Sequence, residues 1–238
     1  SYLGGIGGYV NKSEIANSSN NGNVNGTSYF VGGITSSVLE STITGSSNTG
    51  NITANFLLGG LATFSDESVF ERCFNSGTVK ANSAVYEIGG IVAQQTNGAI
   101  KKCYNLGNII RGSTGGGICG MSKGNQSLIE NSYNHGKLSN MAYAGGLVGS
   151  LQDRSKIKHS FNTGEIKARR YSLGLVYSKS STSEVINSYW DKDTSKTDFS
   201  AGGERKTTAE MYRQSTYQDW DFINIWAINE GASYPYLR

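Results

Sequence analysis

The sequence predicts an all-β fold, a right-handed parallel β-helix (solenoid) of about seven coils closed by a C-terminal cap that contains a short helix. Three observations carry this expectation. An Asn-x-Gly recurs as Asn20/Gly22, Asn48/Gly50, Asn75/Gly77, Asn105/Gly107, Asn134/Gly136 and Asn162/Gly164, at steps of 28, 27, 30, 29 and 28 residues. A Gly-Gly before Ile or Leu ends at Gly5, Gly33, Gly60, Gly90, Gly117 and Gly146 and returns degenerate as Leu173-Gly174, with steps of 28, 27, 30, 27, 29 and 28. Apolar anchors flank every Asn, five positions before it and four after, as in Ile100 and Ile109 around Asn105. Two markers of unlike chemistry that hold one period define a repeat architecture.

Within a repeat, short β-branched runs separated by Gly, Asn and Ser have the pattern of strands and turns. Three such strands per repeat cannot bury a core alone, whereas stacked coils can. Two residues before the Asn come Ser18, Ser46, Cys73, Cys103, Ser132, Ser160 and Ser188, small side chains suited to a cramped, inward site. Each Asn is placed to pass an amide hydrogen bond to the Asn of the next coil, about 4.8 Å away. The Gly that follows fits a position of positive φ. Four residues before the Asn lie Glu71, Lys101, Glu130 and Lys158, so neighbouring coils set opposite signs side by side. That pattern reads as a solvated face neutralising itself, at roughly 0.2–1 kcal/mol per pair.

Composition narrows the function classes. The chain has 238 residues, 32 Gly, one Pro and 16% charged residues, with a net charge of +3. So modest a charge implies neither nucleic acid nor an anionic membrane as partner. No apolar run reaches the length of a membrane-spanning helix, and no signal peptide is expected. An opening Ser rather than Met fits a piece of a longer parent chain. Three cysteines argue against a disulfide framework; Cys73 and Cys103 share one ladder position and are expected as free, buried thiols.

The seventh repeat departs from the pattern. Aligning Ser188 with its counterparts puts Trp190 in the Asn position, which ends the ladder and offers a hydrophobic lid. The division is therefore expected at 1–190 for the solenoid and 191–238 for the capping segment. In "TTAEM", Thr207 and Glu210 form a capping-box pattern for one short helix. Trp220, Phe222, Ile225 and Trp226 are expected to cover the open end of the stack, which otherwise exposes unpaired strand edges.

The stretch from Gly145, "GGLVGSL", continuing to "IKHSFNTGEI" at Ile166, resembles the GLUG repeat of large secreted or wall-attached bacterial proteins, including IgA-cleaving metallopeptidases and adhesin-like proteins. The endings "NSYWDKDTS" from Asn187 and "WDFINIWAINEGASYPYLR" from Trp220 resemble the same group. The resemblance implies a parallel β-helix-like solenoid that is an accessory region, secreted or at the bacterial cell surface, and does not imply catalysis.

A zinc peptidase would need a His-Glu-x-x-His pattern. The two histidines, His135 and His159, occupy positions filled in other repeats by residues such as Thr163 and Lys102, and are expected to be exposed rather than ligands. "GGGICG" from Gly115 is a repeat marker, because the strand-to-helix context of a nucleotide loop is missing. Parallel β-helices also host polysaccharide lyases and hydrolases, whose chemistry needs paired acids or a base beside an acidic metal site. Asp66, Glu67 and Glu71 are interrupted by a strand start, and Asp191 with Asp193 looks like a solvated turn. No catalytic residue, metal ligand or cofactor site is expected.

The better candidate is a column of aromatics immediately before the Asn: Phe74, Tyr104, Tyr133, Phe161 and Tyr189. If Ser/Cys and Asn point inward, alternation sends these rings outward, where they suit a glycan or a host protein. The other placement turns them into the core, the commoner fate of aromatic columns. The reading is thus a monomeric, non-catalytic rigid spacer or binding module of a larger protein, with a carbohydrate-active β-helix enzyme as the alternative.

Overall fold

The computed structural model of the chain describes residues 2–26, 30–83 and 86–238. One coil shows how the repeat folds. After the strand Glu87–Gly89 the chain turns at Gly90 and runs through Val92–Thr96, Ala99–Lys101 and Tyr104–Asn105, then enters Ile109–Gly116, which also opens the next coil. Corresponding strands of successive coils pair in parallel. They build four sheets of 11, 7, 7 and 8 strands, the last completed by Glu204–Lys206 of the C-terminal segment. The fold is an all-β parallel solenoid of about seven coils. Where the repeat suggested three strands, the two-residue aromatic-Asn segment pairs as a strand of its own and makes a fourth wall.

The six repeat asparagines stand in one column. Nδ2 of Asn20, Asn48, Asn75, Asn105 and Asn134 each donates to Oδ1 of the next Asn at 2.8 Å. Each of these amides also donates at 2.8 Å to the carbonyl of the Gly two residues on. At the last rung Trp190 pairs with Asn162 in register and offers no amide; Ser195 Oγ and the Gly174 carbonyl accept from Asn162 instead, at 3.0 and 3.1 Å.

The column crosses the interior to the opposite wall. A Cβ on Gly33, Gly60, Gly90, Gly117 or Gly146 would collide with the side chain of Asn48, Asn75, Asn105, Asn134 or Asn162, as well as with the carbonyl of the next coil's glycine. The Gly-Gly marker is thus the far side of the Asn contact. In the degenerate coil Gly174 survives because the Trp190 indole fills the same place. The Asn column divides the interior into two apolar cores. Ile43, Phe70, Ile100, Ile129 and Ile157 join Ile34, Leu61, Ile91, Ile118 and Leu147 on one side, while Ile52, Val79, Ile109 and Leu138 join Val31, Leu58 and Ile88 on the other.

The glycine after each Asn is not in the left-handed region; the positive-φ glycines are Gly45, Gly124, Gly203 and Gly231. It is required for closeness, since a Cβ on Gly50, Gly77, Gly107, Gly136 or Gly164 would strike the carbonyl oxygen of its counterpart one coil earlier. Left-handed backbone falls three residues before the Asn instead, at Asn17, Gly45, Arg72, Lys102, Asn131, His159 and Asn187. An L residue there costs about 1–2 kcal/mol. The following Ser or Cys secures the corner. Its side chain accepts the backbone N–H of its counterpart one coil earlier, as in Cys103 N–H to Ser132 Oγ and Ser132 N–H to Ser160 Oγ, at 3.2 and 3.1 Å. Cys73 and Cys103 are free and buried in this ladder, and burial pushes the Cys103 thiol well up.

Glu71, Lys101, Glu130 and Lys158 are rung neighbours as expected. The inter-coil ion pairs within 4.0 Å among the described residues form elsewhere, at Lys12–Glu40, Lys137–Glu165 and Lys156–Glu184. At such exposed positions solvent screens the pairs and they add little to stability.

The C-terminal segment departs from expectation. The end of the stack is closed by residues 196–206: Ser200 Oγ accepts the N–H groups of Leu175 and Val176, Ala201 N–H donates to Val176 O, and Glu204–Lys206 pairs with Tyr189–Asp191. Thr207 and Glu210 form the capping box of the helix Thr208–Met211. Beyond it, Trp220, Phe222, Ile225 and Trp226 do not reach the open end; they pack on the outer face of the fourth sheet. The aromatic column there offers more apolar area than a solenoid end already closed by paired backbone.

The Asn contact generates a direct test. Asn105→Ala strips partners from Asn75 Nδ2, Asn134 Oδ1 and Gly107, and is expected to lower the unfolding free energy by roughly 2–4 kcal/mol in urea titrations. A loss below that of an exposed Asn→Ala control, such as at Asn125, would mean that the column is not what sets the register.

Candidate binding site

The aromatic residues of the column point away from the interior, as strand alternation requires. The rings stack along the solenoid axis: Phe74 on Tyr104 at 5.1 Å and 3°, Tyr104 on Tyr133 at 5.0 Å and 4°, Tyr133 on Phe161 at 5.1 Å and 12°. Direction and exposure nevertheless part company. Residues 211–238 fold back along the column as a strap, leaving Tyr133, Phe161 and Tyr189 only 7%, 0% and 2% exposed. The two placements open to the sequence are thus both partly realised: the rings face outward from the coils and lie inside a second small core.

The strap is fastened to the left-handed corners. Trp220 Nε1 donates to the Asn187 carbonyl at 2.8 Å, Trp226 Nε1 donates to Asn131 Oδ1 at 3.1 Å, and Asn187 Nδ2 donates to Asp219 at 3.1 Å. Between them, His159 meets Trp220 edge-on at 6.3 Å. Asp191 ties Tyr234 of the strap to Thr208 of the helix that leads into it. Its carboxylate accepts from Asp193 N, Thr194 N, Thr208 Oγ1 and Tyr234 Oη, the last two at 2.6 Å. The expected solvated turn at Asp191 and Asp193 is therefore, at Asp191, a fully buried cap. Tyr234 is pushed above its ordinary range by burial and then by this carboxylate.

The histidines, expected to be exposed, are both half-buried. His135 is half-buried under the strap, 4.7 Å from the Tyr133 ring and 5.8 Å from Tyr234, with Nδ1 hydrogen-bonded to Thr163 Oγ1. Burial brings it down to about 4. His159 is half-buried too, and burial lowers it. The strap was illegible locally because it covers residues some hundred positions away in sequence. Asp66 and Glu67 lie exposed at a corner, with Glu71 half-buried on the next strand. Among the described residues no three His, Cys, Asp or Glu side chains are grouped to hold a metal.

The strap stops short of the column's lower end. Phe74 and Tyr104 stay half-exposed and, with Arg72, Lys102 and the strap residues Asn224, Ile225, Leu237 and Arg238, line a pocket of about 330 Å³. The Arg238 side chain donates to the Trp226 and Phe222 carbonyls at 2.9 and 3.2 Å, which holds it in this wall. Sequence reasoning singled out Phe74 and Tyr104 but missed Arg72 and Lys102. Their signal was available, as the residue before each ladder Ser or Cys is always at an outward corner.

The chain is thus a β-solenoid with a lateral aromatic strap. Its fold matches the crystal structure of "a putative immunoglobulin A1 protease from Bacteroides ovatus" with a TM-score of 0.71, over 98% of this chain and 86% of that one, at 18% identity. Over 143 residues, 58% of this chain, it is 28% identical to a "Putative Gly-rich membrane protein" of Evansella cellulosilytica, of whose length the match spans 14%. No protein-family model matches the chain. No helix among the described residues is long and apolar enough to cross a membrane.

Because His135 is held neutral, with a folded value near 4 against 6.5, its contribution is present above pH 6.5 and lost as pH falls toward 4. The loss amounts to at most roughly 3 kcal/mol, and His135→Gln is expected to flatten that limb in pH-dependent urea melts. For Asp191→Ala, two hydroxyls and two N–H groups lose their acceptor, a local loss of about 2–4 kcal/mol. Hydrogen exchange should then quicken in the helix Thr208–Met211 and at Trp226, with the sheet amides unchanged; equal acceleration throughout would refute a separately fastened strap.

Proposed function

We propose that this chain is a non-catalytic, rigid binding or spacer module of a larger bacterial protein that is secreted or held at the cell surface. The observation that carries the reading is the use of the interior. Asn amides, glycines and apolar side chains fill every coil, and Asp191, the most buried acid, spends its lone pairs on fastening the strap. The remaining candidate acids lie apart, Asp66 and Glu67 at a corner, Glu71 on the next strand and Asp193 in the helix Lys192–Ser195, an arrangement that offers no positioned acid and base. The GLUG-like motifs support the accessory role. So do the fold shared with a protein named for immunoglobulin A1 cleavage and the partial match to one named as a membrane protein. Binding falls to the open end of the column at Phe74 and Tyr104, with a host glycan or protein as partner and the solenoid as its stiff support.

The test is to incubate the purified chain with immunoglobulin A and with a panel of acidic and neutral glycans, with and without zinc or calcium, following products and retention separately. Retention without cleavage is expected. Turnover abolished by Asp66→Asn or Glu71→Gln would overturn the module reading in favour of a carbohydrate-active β-helix enzyme.

A further inference from the structure

The left-handed corner column reads Asn17, Gly45, Arg72, Lys102, Asn131, His159, Asn187. Both cations fall in the two adjacent coils that the strap leaves open. The aromatic column changes in step: the rungs before Phe74 carry Ser19 and Ser47, so the ring stack begins at Phe74. The face of Phe74 turned toward Ser47 has no ring partner among the described residues, while its other face lies on Tyr104. Arg238 adds a third cation on the strap side of the same pocket.

Arg72, Lys102 and Arg238 take part in none of the ion pairs within 4.0 Å among the described residues. The Asp221 carboxylate is lowered chiefly by the hydrogen bonds it accepts from Asn224 Nδ2, Asn224 N and Ile223 N, and least by the charge of Lys102. Glu71 and Glu130 occupy the position just before the corner, on the rungs either side of Lys101, which lies between them. No Asp or Glu is among the residues that line the pocket.

Resting on the module reading, we infer that this pocket binds a carboxylate-bearing sugar ring. The ring lies against the free face and edge of the Phe74–Tyr104 pair, and its carboxylate meets Arg72 and Lys102. The chemistry fits on both sides. A pyranose presents axial C–H groups to an aromatic face, and a guanidinium matches a carboxylate in fork geometry. The volume of about 330 Å³ suits one or two sugar rings rather than a folded partner. Uronate and sialate residues share this chemistry.

The test uses the whole chain and isothermal titration with a galacturonate oligosaccharide, sialyllactose, lactose and a galactose oligosaccharide. Arg72→Asn and Lys102→Asn are the informative variants, because Asn occupies the same left-handed corner at Asn17, Asn131 and Asn187 and removes the charge without straining the backbone. Binding of at least one acidic ligand is expected, at least about tenfold tighter than its neutral counterpart and weakened about tenfold by either variant. Phe74→Ala should weaken it as well, Lys80→Asn on a distant strand should not, and added salt should reduce the affinity. Which acidic ligand binds decides between uronate and sialate. Equal affinity for acidic and neutral sugars would overturn the inference, as would binding indifferent to Arg72→Asn and Lys102→Asn, or poly-glutamate bound as well as the sugars. Absence of any sugar binding would overturn it too, yet leave the module reading intact, since that reading falls only on turnover.

Discussion

The contact between each repeat asparagine and the glycine on the opposite wall is the constraint on which the structure depends. An Asn side chain that both bonds to the next rung and touches backbone across the interior fixes two distances at once, the rise between coils and the width of the coil. Any side chain on that glycine would force one of them to change. The hydrogen-bond chain leaves no buried amide of the column unpaired, which matters because an orphaned buried amide costs as much as several good contacts return. It also separates the two apolar cores, so that neither needs a large residue to reach the middle.

From this frame the corners follow. A left-handed residue and a Ser or Cys whose side chain accepts the next N–H turn the chain sharply without burying an unsatisfied group. The left-handed residue faces out, so its identity is free of packing and available for other uses. In coils five and seven it is Asn, which receives the strap's tryptophans; in coils three and four it is a cation beside open aromatic rings. One geometric position thus serves both attachment of the strap and the candidate site.

The strap changes the meaning of the aromatic column. Stacked rings in register contribute roughly 0.5–1.5 kcal/mol per pair beyond the area they bury. Covered by Trp220 and Trp226, most of the stack becomes a stabilising seam, and only its uncovered end remains for a partner. Asp191 joins the two, closing the last coil's turn and holding Tyr234 of the strap and Thr208 of the helix before it.

The period, the parallel stacking, the Asn column and the capping box were legible in the sequence, because each rests on spacing or on chemistry within a few residues. So was the end of the ladder at Trp190, where an indole replaces an amide. The role of the glycine after each Asn was misread, since closeness to a neighbouring coil and a positive φ both select glycine and only coordinates separate them. The exposure of Phe74 and Tyr104 against the burial of Tyr133, Phe161 and Tyr189 was decided by tertiary structure alone. Those five positions are equivalent within the repeat, and what distinguishes them is a segment up to about a hundred residues away whose reach along the column no local pattern encodes. The same holds for His135 and Asp191: burial is a property of what arrives to cover a residue, and repeat periodicity records only which way that residue faces.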